Sequence, residues 1–134
     1  MKTNNTTQSY RRRALCALLL WLFITYAATA ADTIRVACIG NSVTYGYGHR
    51  VPQKTSYPTR LGEMLGQGFH VRNFGHSGAT LLNRGHRPYI QQQAWRDALS
   101  FAPDKAIIHL GLNDTDPRNW PNYRDEFIPN YLAL

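Results

Sequence analysis

The sequence predicts an α/β domain built on a parallel sheet. Three observations predict it: three short β-like runs, a helical pattern after each run, and a glycine at the end of each run. Strands that alternate with helices in this way are typical of βαβ units, whose strands lie parallel. The polar residues that follow the three glycines are therefore expected to meet at one rim, beyond the carboxyl ends of the strands.

The first run is rich in β-branched residues and reads as a buried strand by composition, whereas the second alternates between apolar and polar residues. The three runs are residues 33–39 (TIRVACI), 69–74 (FHVRNF) and 105–110 (KAIIHL). Cys38 lies in the first run and is expected to be a small buried core residue. His70 and His109 lie in the other two, where we expect buried or half-buried structural roles.

Three helices are expected between and after the strands. In the first, Ser56 is the N-cap and Gly66 ends the helix, with Leu61, Met64 and Leu65 on one face. The second is expected within residues 88–101, where apolar side chains recur at helical spacing. Those side chains are Ile90, Ala94, Trp95, Ala98 and Leu99. The third runs from Tyr123 towards the C-terminus, with Pro129 kinking or splitting it.

Residues 1–31 have the pattern of a secretory signal peptide. Lys2 and the arginines at 11–13 precede an apolar run at 14–28, and small residues then fit a cleavage site after Ala30 or one residue later. The apolar run is shorter than the roughly 20 residues that span a bilayer. We therefore expect cleavage, export to the periplasm or the exterior, and no stable membrane association afterwards.

The positive charge of the chain comes partly from this leader. Four of the 15 Lys and Arg residues and none of the 8 Asp and Glu residues lie in residues 1–31, which leaves a net charge of +3. The remaining basic residues are scattered singly, so no nucleic-acid partner is expected. Loss of Cys16 with the leader would leave Cys38 as the remaining cysteine, which excludes an internal disulfide.

The three polar clusters after the strands predict an acyl-transfer site. Ser42 follows the first strand on a tight turn, Gly78 offers an unobstructed backbone N–H, and Asn113 offers a carboxamide donor. A serine oxygen with a backbone N–H and an amide around one point makes a nucleophile with an oxyanion hole. The clusters are Gly40-Asn41-Ser42, Gly75-His76-Ser77-Gly78 and Gly111-Leu112-Asn113-Asp114.

In their order and spacing these clusters resemble the blocks of the GDSL/SGNH hydrolase family. The resemblance covers residues 34–134 and implies a three-layer α/β/α, SGNH/flavodoxin-like fold with a parallel sheet. It implies that Ser42 is the nucleophile and that the N–H groups of Ser42 and Gly78, with Asn113, form the oxyanion hole. The phrases IGNSVTYG and NFGHSGATLL are most similar to secreted bacterial carbohydrate O-acetylesterases of the sialate type. The implied substrates are O-acetylated carbohydrates such as sialic acid or xylan.

Two departures from the family pattern matter. Asn41 stands where the family usually has aspartate, so hydrogen bonding can persist there without a negative charge. The family's Asp-x-x-His block is absent, since no aspartate has a histidine three residues later. We therefore expect residues 32–134 to be a partial hydrolase domain that lacks its C-terminal part. On this view the catalytic His and Asp lie beyond Leu134, and this chain alone is inactive.

Two other functional interpretations stay open. Residues 75–79 (GHSGA) could form the nucleophile elbow of an α/β-hydrolase with Ser77 attacking, although the last residue is Ala79 and no helical pattern starts at once. Alternatively, the mature chain is a non-catalytic carbohydrate-binding module or an inert fragment. A comparison of Ser42→Ala with Ser77→Ala separates the two serine assignments.

Several polar and aromatic residues have weaker assignments. His76 and Trp120 are candidates for contact with the substrate, and His49 and His86 lie in loops that could also reach it. Asp114 is expected to orient its neighbouring loop or cap the turn. No His-x-x-x-His spacing and no nucleotide-phosphate motif occurs, so neither a metal nor a cofactor is expected.

Overall fold

Residues 33–134 are described by a computed structural model, so the predicted signal peptide lies outside the described residues. Within them, three parallel strands form one sheet in the order β2–β1–β3. The strands are β1 (Ile34–Gly40), β2 (Phe69–Gly75) and β3 (Lys105–His109). Gly40 is in register with Gly75 on one side and with His109 on the other. The predicted strands and their parallel arrangement are confirmed.

Six α-helical segments follow or connect the strands in the described part of the chain. They are α1 (Ser42–Tyr45), α2 (Pro52–Thr55), α3 (Tyr57–Leu65), α4 (Gln93–Phe101), α5 (Trp120–Tyr123) and α6 (Phe127–Ala133). Short 3₁₀ turns lie at Tyr89–Gln91, Asn113–Thr115 and Arg124–Glu126. In the same range, no helix combines the length and apolar character needed to cross a bilayer.

One face of the sheet packs against α4. Ala37 and Ile39 of β1 and Phe74 of β2 form a buried cluster with Tyr89 and Ala98. The Tyr89 hydroxyl donates a 2.6 Å hydrogen bond to the carbonyl oxygen of Phe74. Burial, and secondarily the charge of Asp97, raise the pKa of Tyr89, so its hydroxyl stays a donor. The cluster fixes the segment before α4 against the end of β2.

The opposite face carries α1 and α3. Gly62 of α3 leaves room for Val71 of β2. Cys38 is buried on this face as a free thiol, and burial raises its pKa. The prediction that Cys38 is a core residue is confirmed. Helices on both faces of a parallel sheet make the three-layer α/β/α arrangement implied by the family resemblance.

Two predicted helices differ from the structure in their bounds. Residues 88–101 do not form one helix, because Gln92 is extended (ψ 155°) and separates the 3₁₀ turn from α4. The C-terminal helix is split at the Arg124–Glu126 turn, and Pro129 falls in the first turn of α6. A proline is tolerated there because the first-turn N–H groups have no intrahelical acceptor.

The expected burial of His70 and His109 was wrong, because both residues are exposed. The apolar helix faces are not buried throughout either, since Met64 (84 % exposed) and Leu65 of α3 and Leu99 of α4 are exposed. Apolar periodicity identifies a helix face, but burial of that face depends on a neighbouring element, and β2 and β3 are the edge strands of the described sheet.

We expect Tyr89→Phe to lower the free energy of unfolding by about 1–2 kcal/mol, because the carbonyl of Phe74 loses its buried donor. Urea denaturation followed by circular dichroism measures this change. Tyr47→Phe is the matched control, since Tyr47 is 77 % exposed. Equal stability of the two variants would contradict the importance of this hydrogen bond.

Candidate active site

Ser42 is the first residue of α1, directly after β1. Asn41 is the N-cap, and its side-chain Oδ1 accepts a 3.0 Å hydrogen bond from the backbone N–H of Val43. The amide at position 41 thus keeps the capping hydrogen bond without a negative charge. Ser42 itself is half-buried, and its hydroxyl has no hydrogen-bond partner within residues 33–134. The sequence predicted a tight turn here, and the structure shows a one-turn helix.

The carboxyl end of β2 holds α1 in place. The Asn73 side chain donates to the carbonyl oxygen of Thr44 at 2.7 Å, and its Oδ1 accepts from the N–H of Gly75 at 2.8 Å. A side chain on Gly75 would collide with the backbone of Tyr45, and one on Gly40 would collide with Thr44. The two strand-ending glycines are therefore required for α1 to pack directly over the strand ends.

Gly78 lies in a tight turn that continues from β2. The N–H of His76 donates to the carbonyl of Gly40 at 2.8 Å, and the N–H of Ala79 donates to the carbonyl of His76 at 3.1 Å. With φ +81° at Gly78 in the third position, these contacts define a type II β-turn. The turn of residues 76–79 is thereby attached to the end of β1, next to Asn41 and Ser42.

Asn113 lies beside this turn. Its Nδ2 donates a 2.8 Å hydrogen bond to the carbonyl oxygen of Ala79, the residue after Gly78. The Asn113 side chain is half-buried, and residues 33–134 supply no acceptor for its second amide hydrogen. The structure therefore brings Gly78 and Asn113 together at the strand ends from which Ser42 also projects.

Asp114 is fully buried and fixes the loop that follows the turn. Its two carboxylate oxygens accept hydrogen bonds from the N–H groups of Leu81 (3.0 Å) and Leu82 (2.7 Å). Adjacent residues Asn113 and Asp114 thus hold the segment from Ala79 to Leu82 at both of its ends. The expectation that Asp114 orients a neighbouring loop is confirmed.

The hydrogen bonds that Asn113 and Asp114 make with the segment from Ala79 to Leu82 form a clamp on that segment. Asn119 extends this clamp, and its role was not predicted from the sequence. Its Oδ1 accepts from the N–H of His86 at 2.9 Å, and its Nδ2 donates to the carbonyl of Asn113 and to Nδ1 of His86, both at 2.9 Å. Because the amide nitrogen can only donate, the His86 proton is assigned to Nε2. A buried asparagine in a loop leaves no periodic signal in the sequence.

The remaining candidate residues lie in different surroundings, and of these only His76 belongs to the turn of residues 76–79. His76 is half-buried, and its pKa is lowered by burial and then by the positive charge of Arg87. Trp120 is 41 % exposed and packs edge-on against Phe127 at 5.6 Å between ring centroids. His49 contacts Thr55 through Nδ1 at 2.8 Å. No histidine of the described range is hydrogen-bonded to Ser42.

Residues 38–134 match the model of the GDSL-like lipase/acylhydrolase family. The chain belongs to this family. A relative, the acetylxylan esterase of Xylanibacter ruminicola (strain ATCC 19189), is 51 % identical over 100 residues. The match covers 75 % of this chain, and the chain spans 21 % of that relative. No solved structure gives a significant match.

Membership of the GDSL-like family gives no support to the α/β-hydrolase interpretation based on Ser77. Within residues 33–134 the Ser77 Oγ is buried and has no hydrogen-bond partner, and a turn rather than a helix follows it. The strand–turn–helix geometry of a nucleophile elbow does not occur at this position. Among residues 33–134, no group of three or more His, Cys, Asp or Glu side chains is arranged to hold a metal ion.

We expect Asp114→Asn to lower the free energy of unfolding by about 1–3 kcal/mol, because an amide nitrogen then faces the N–H of Leu81 or Leu82. Hydrogen exchange should show faster opening of these two amides, and urea denaturation should show the loss of stability. Asp125→Asn is the control, since that side chain is 97 % exposed. Unchanged protection of both leucine amides would contradict the clamp.

We expect Arg87→Gln to raise the pKa of His76 towards its ordinary value, because removal of a nearby positive charge favours the charged imidazole. The shift is measured by following the His76 ring resonances by NMR as a function of pH. Arg84→Gln should leave the titration unchanged, since Arg84 pairs with Glu126. A His76 pKa that is the same in both variants would show that the Arg87 charge does not act on it.

Proposed function

We propose that the chain carries the nucleophile and oxyanion hole of a serine esterase that removes acetyl groups from xylan. The observation that carries the proposal is the hydrogen bond from Asn113 to Ala79, which places a carboxamide donor beside the Gly78 turn. Family membership and the acetylxylan esterase relative support the ester-hydrolase chemistry and the choice of xylan. The comparisons give no support to a sialate substrate.

In the proposed reaction, the Ser42 oxygen attacks the acetyl carbonyl carbon and its proton passes to a general base. The carbonyl oxygen becomes negatively charged and accepts hydrogen bonds from the N–H groups of Ser42 and Gly78 and from Asn113. Collapse breaks the bond to the sugar oxygen, which leaves as an alcohol after taking the proton from the base. Water then attacks the acetyl-enzyme with the base accepting its proton, the bond between the acetyl carbon and the Ser42 oxygen breaks, Ser42 takes the proton back from the base, and acetate leaves.

We propose that the general base is a histidine outside these 134 residues. Two observations support this: the sequence has no Asp-x-x-His, and none of the described histidines is hydrogen-bonded to Ser42. His86 is engaged with Asn119, and His76 lies in the turn that carries Gly78. His76 and Trp120 remain proposed substrate contacts. We also propose that the leader at residues 1–31 directs export to the compartment where xylan is met.

In the longest natural chain that contains these residues, we expect Ser42→Ala to reduce acetate release from acetylated xylan by at least about 10⁴-fold, as expected for loss of a nucleophile. Ser77→Ala is the matched control and should retain activity, because its buried oxygen does not reach the solvent. Loss of activity in Ser77→Ala alone would overturn the assignment of Ser42.

A second candidate function is carbohydrate binding without hydrolysis, favoured by the absence of an Asp-x-x-His block from the sequence. The two functions are separated by measuring both acetate release and xylan binding with the 134-residue chain. We expect negligible turnover of an acetyl ester. Binding of xylan that survives in Ser42→Ala and Asn113→Ala, together with no hydrolysis in any longer natural chain, would favour the binding module.

A further inference from the structure

Arg87 packs directly against the turn that carries Gly78. Its Nη1 donates a 3.0 Å hydrogen bond to the carbonyl oxygen of Ser77. A Cβ atom on Gly78 would lie 2.8 Å from the same Nη1, so the guanidinium occupies the space that glycine leaves free. Arg87 is exposed and forms no ion pair with any residue between 33 and 134. Its positive charge is therefore not neutralised locally.

The carbonyl that Arg87 binds and the N–H of Gly78 belong to one peptide unit. In a type II turn this central peptide differs from its type I orientation by roughly half a rotation. A flipped peptide would turn the Ser77 carbonyl away from Arg87 and would move the Gly78 N–H to the other side of the turn. The hydrogen bond from Arg87 therefore favours one of two orientations of the Gly78 N–H.

The backbone of Arg87 is fixed to the same loop as the turn. The carbonyl of Arg87 accepts a 2.9 Å hydrogen bond from the N–H of Thr80, and the N–H of Tyr89 donates to the carbonyl of Thr80 at 2.9 Å. The preceding residue, His86, is held by Asn119. Because both sides of Arg87 are anchored, its guanidinium is presented to Ser77 from a defined position.

We propose that Arg87 is a positioning residue for the oxyanion hole: it holds the Ser77–Gly78 peptide in the orientation that presents the Gly78 N–H to the substrate. The hydrogen bond to the carbonyl also polarises the peptide and strengthens its N–H as a donor. The inference rests on the proposed role of Gly78. It assigns Arg87 no contact with the reacting atoms.

The kinetic test uses the longest natural chain that contains these residues and acetylated xylan as substrate. Arg87→Gln should lower kcat by about 10- to 100-fold with KM nearly unchanged. Loss of an oxyanion-hole donor lowers kcat by a factor of about 10²–10³, and Arg87 acts only through such a donor. Arg87→Lys keeps the charge and one donor and should recover part of kcat. Arg84→Gln, a matched loss of an exposed arginine that pairs with Glu126, should have wild-type kinetics.

An increase in KM alone, or wild-type kcat in Arg87→Gln, would overturn the proposal. Thermal unfolding of each variant accompanies the kinetics. A merely structural role predicts that kcat falls in proportion to the amount of folded protein and that Arg87→Lys does not recover it. That result would also overturn the proposal.

A second measurement tests the orientation of the peptide without any activity. In ¹H–¹⁵N spectra of the 134-residue chain, the Gly78 amide should give one sharp signal. In Arg87→Gln that signal should broaden or double, while Arg84→Gln leaves it unchanged. An unaltered Gly78 amide in Arg87→Gln would overturn the proposal even if kcat falls.

The two measurements separate this proposal from the proposed function. If Ser42→Ala retains full activity, the proposed esterase site fails, whatever the Gly78 amide does. If Ser42→Ala abolishes activity and Arg87→Gln changes neither kcat nor the amide signal, the esterase site stands and the role of Arg87 fails.

Discussion

The buried carboxylate of Asp114 is the constraint on which the candidate site depends. By accepting the N–H groups of Leu81 and Leu82, it holds an irregular loop against the end of the sheet. Without such acceptors, buried backbone donors would destabilise the loop by about 1–3 kcal/mol each. Asn113, the preceding residue, donates to Ala79 at the other end of the same segment.

Two of the proposed oxyanion-hole donors are backbone N–H groups, those of Ser42 and Gly78, and side chains hold the segments that carry them in place. Asn41 caps the helix that starts with Ser42, Asn73 fixes that helix to β2, and Arg87 holds the peptide that carries the Gly78 N–H. Backbone donors suit an oxyanion hole because their positions change little during the reaction. Most of the polar residues near the strand ends therefore position the site without being placed to react themselves.

The family's sequence blocks singled out Ser42, Gly78 and Asn113 as candidates, because each lies in a polar cluster that follows a predicted strand. The structure shows the last two brought together, and it confirms that Asp114 orients a neighbouring loop and that Cys38 is a buried core residue. Arg87 could not be found from the sequence. It is one exposed arginine among several, and its partner is a backbone carbonyl that no residue pattern marks.

The sequence by itself determined the order of the elements along the chain. Three strand-like runs each lead to a glycine, helices lie between the runs, and a polar cluster follows each run. These features are local, because periodicity and turn residues act within a few positions of the chain. Only the tertiary structure decided that Met64 and His109 are exposed, that Gln92 separates a 3₁₀ turn from α4, and that Arg87 faces Ser77. Burial and side-chain partners depend on segments far apart in the chain, and the packing of those segments is a property of the folded molecule.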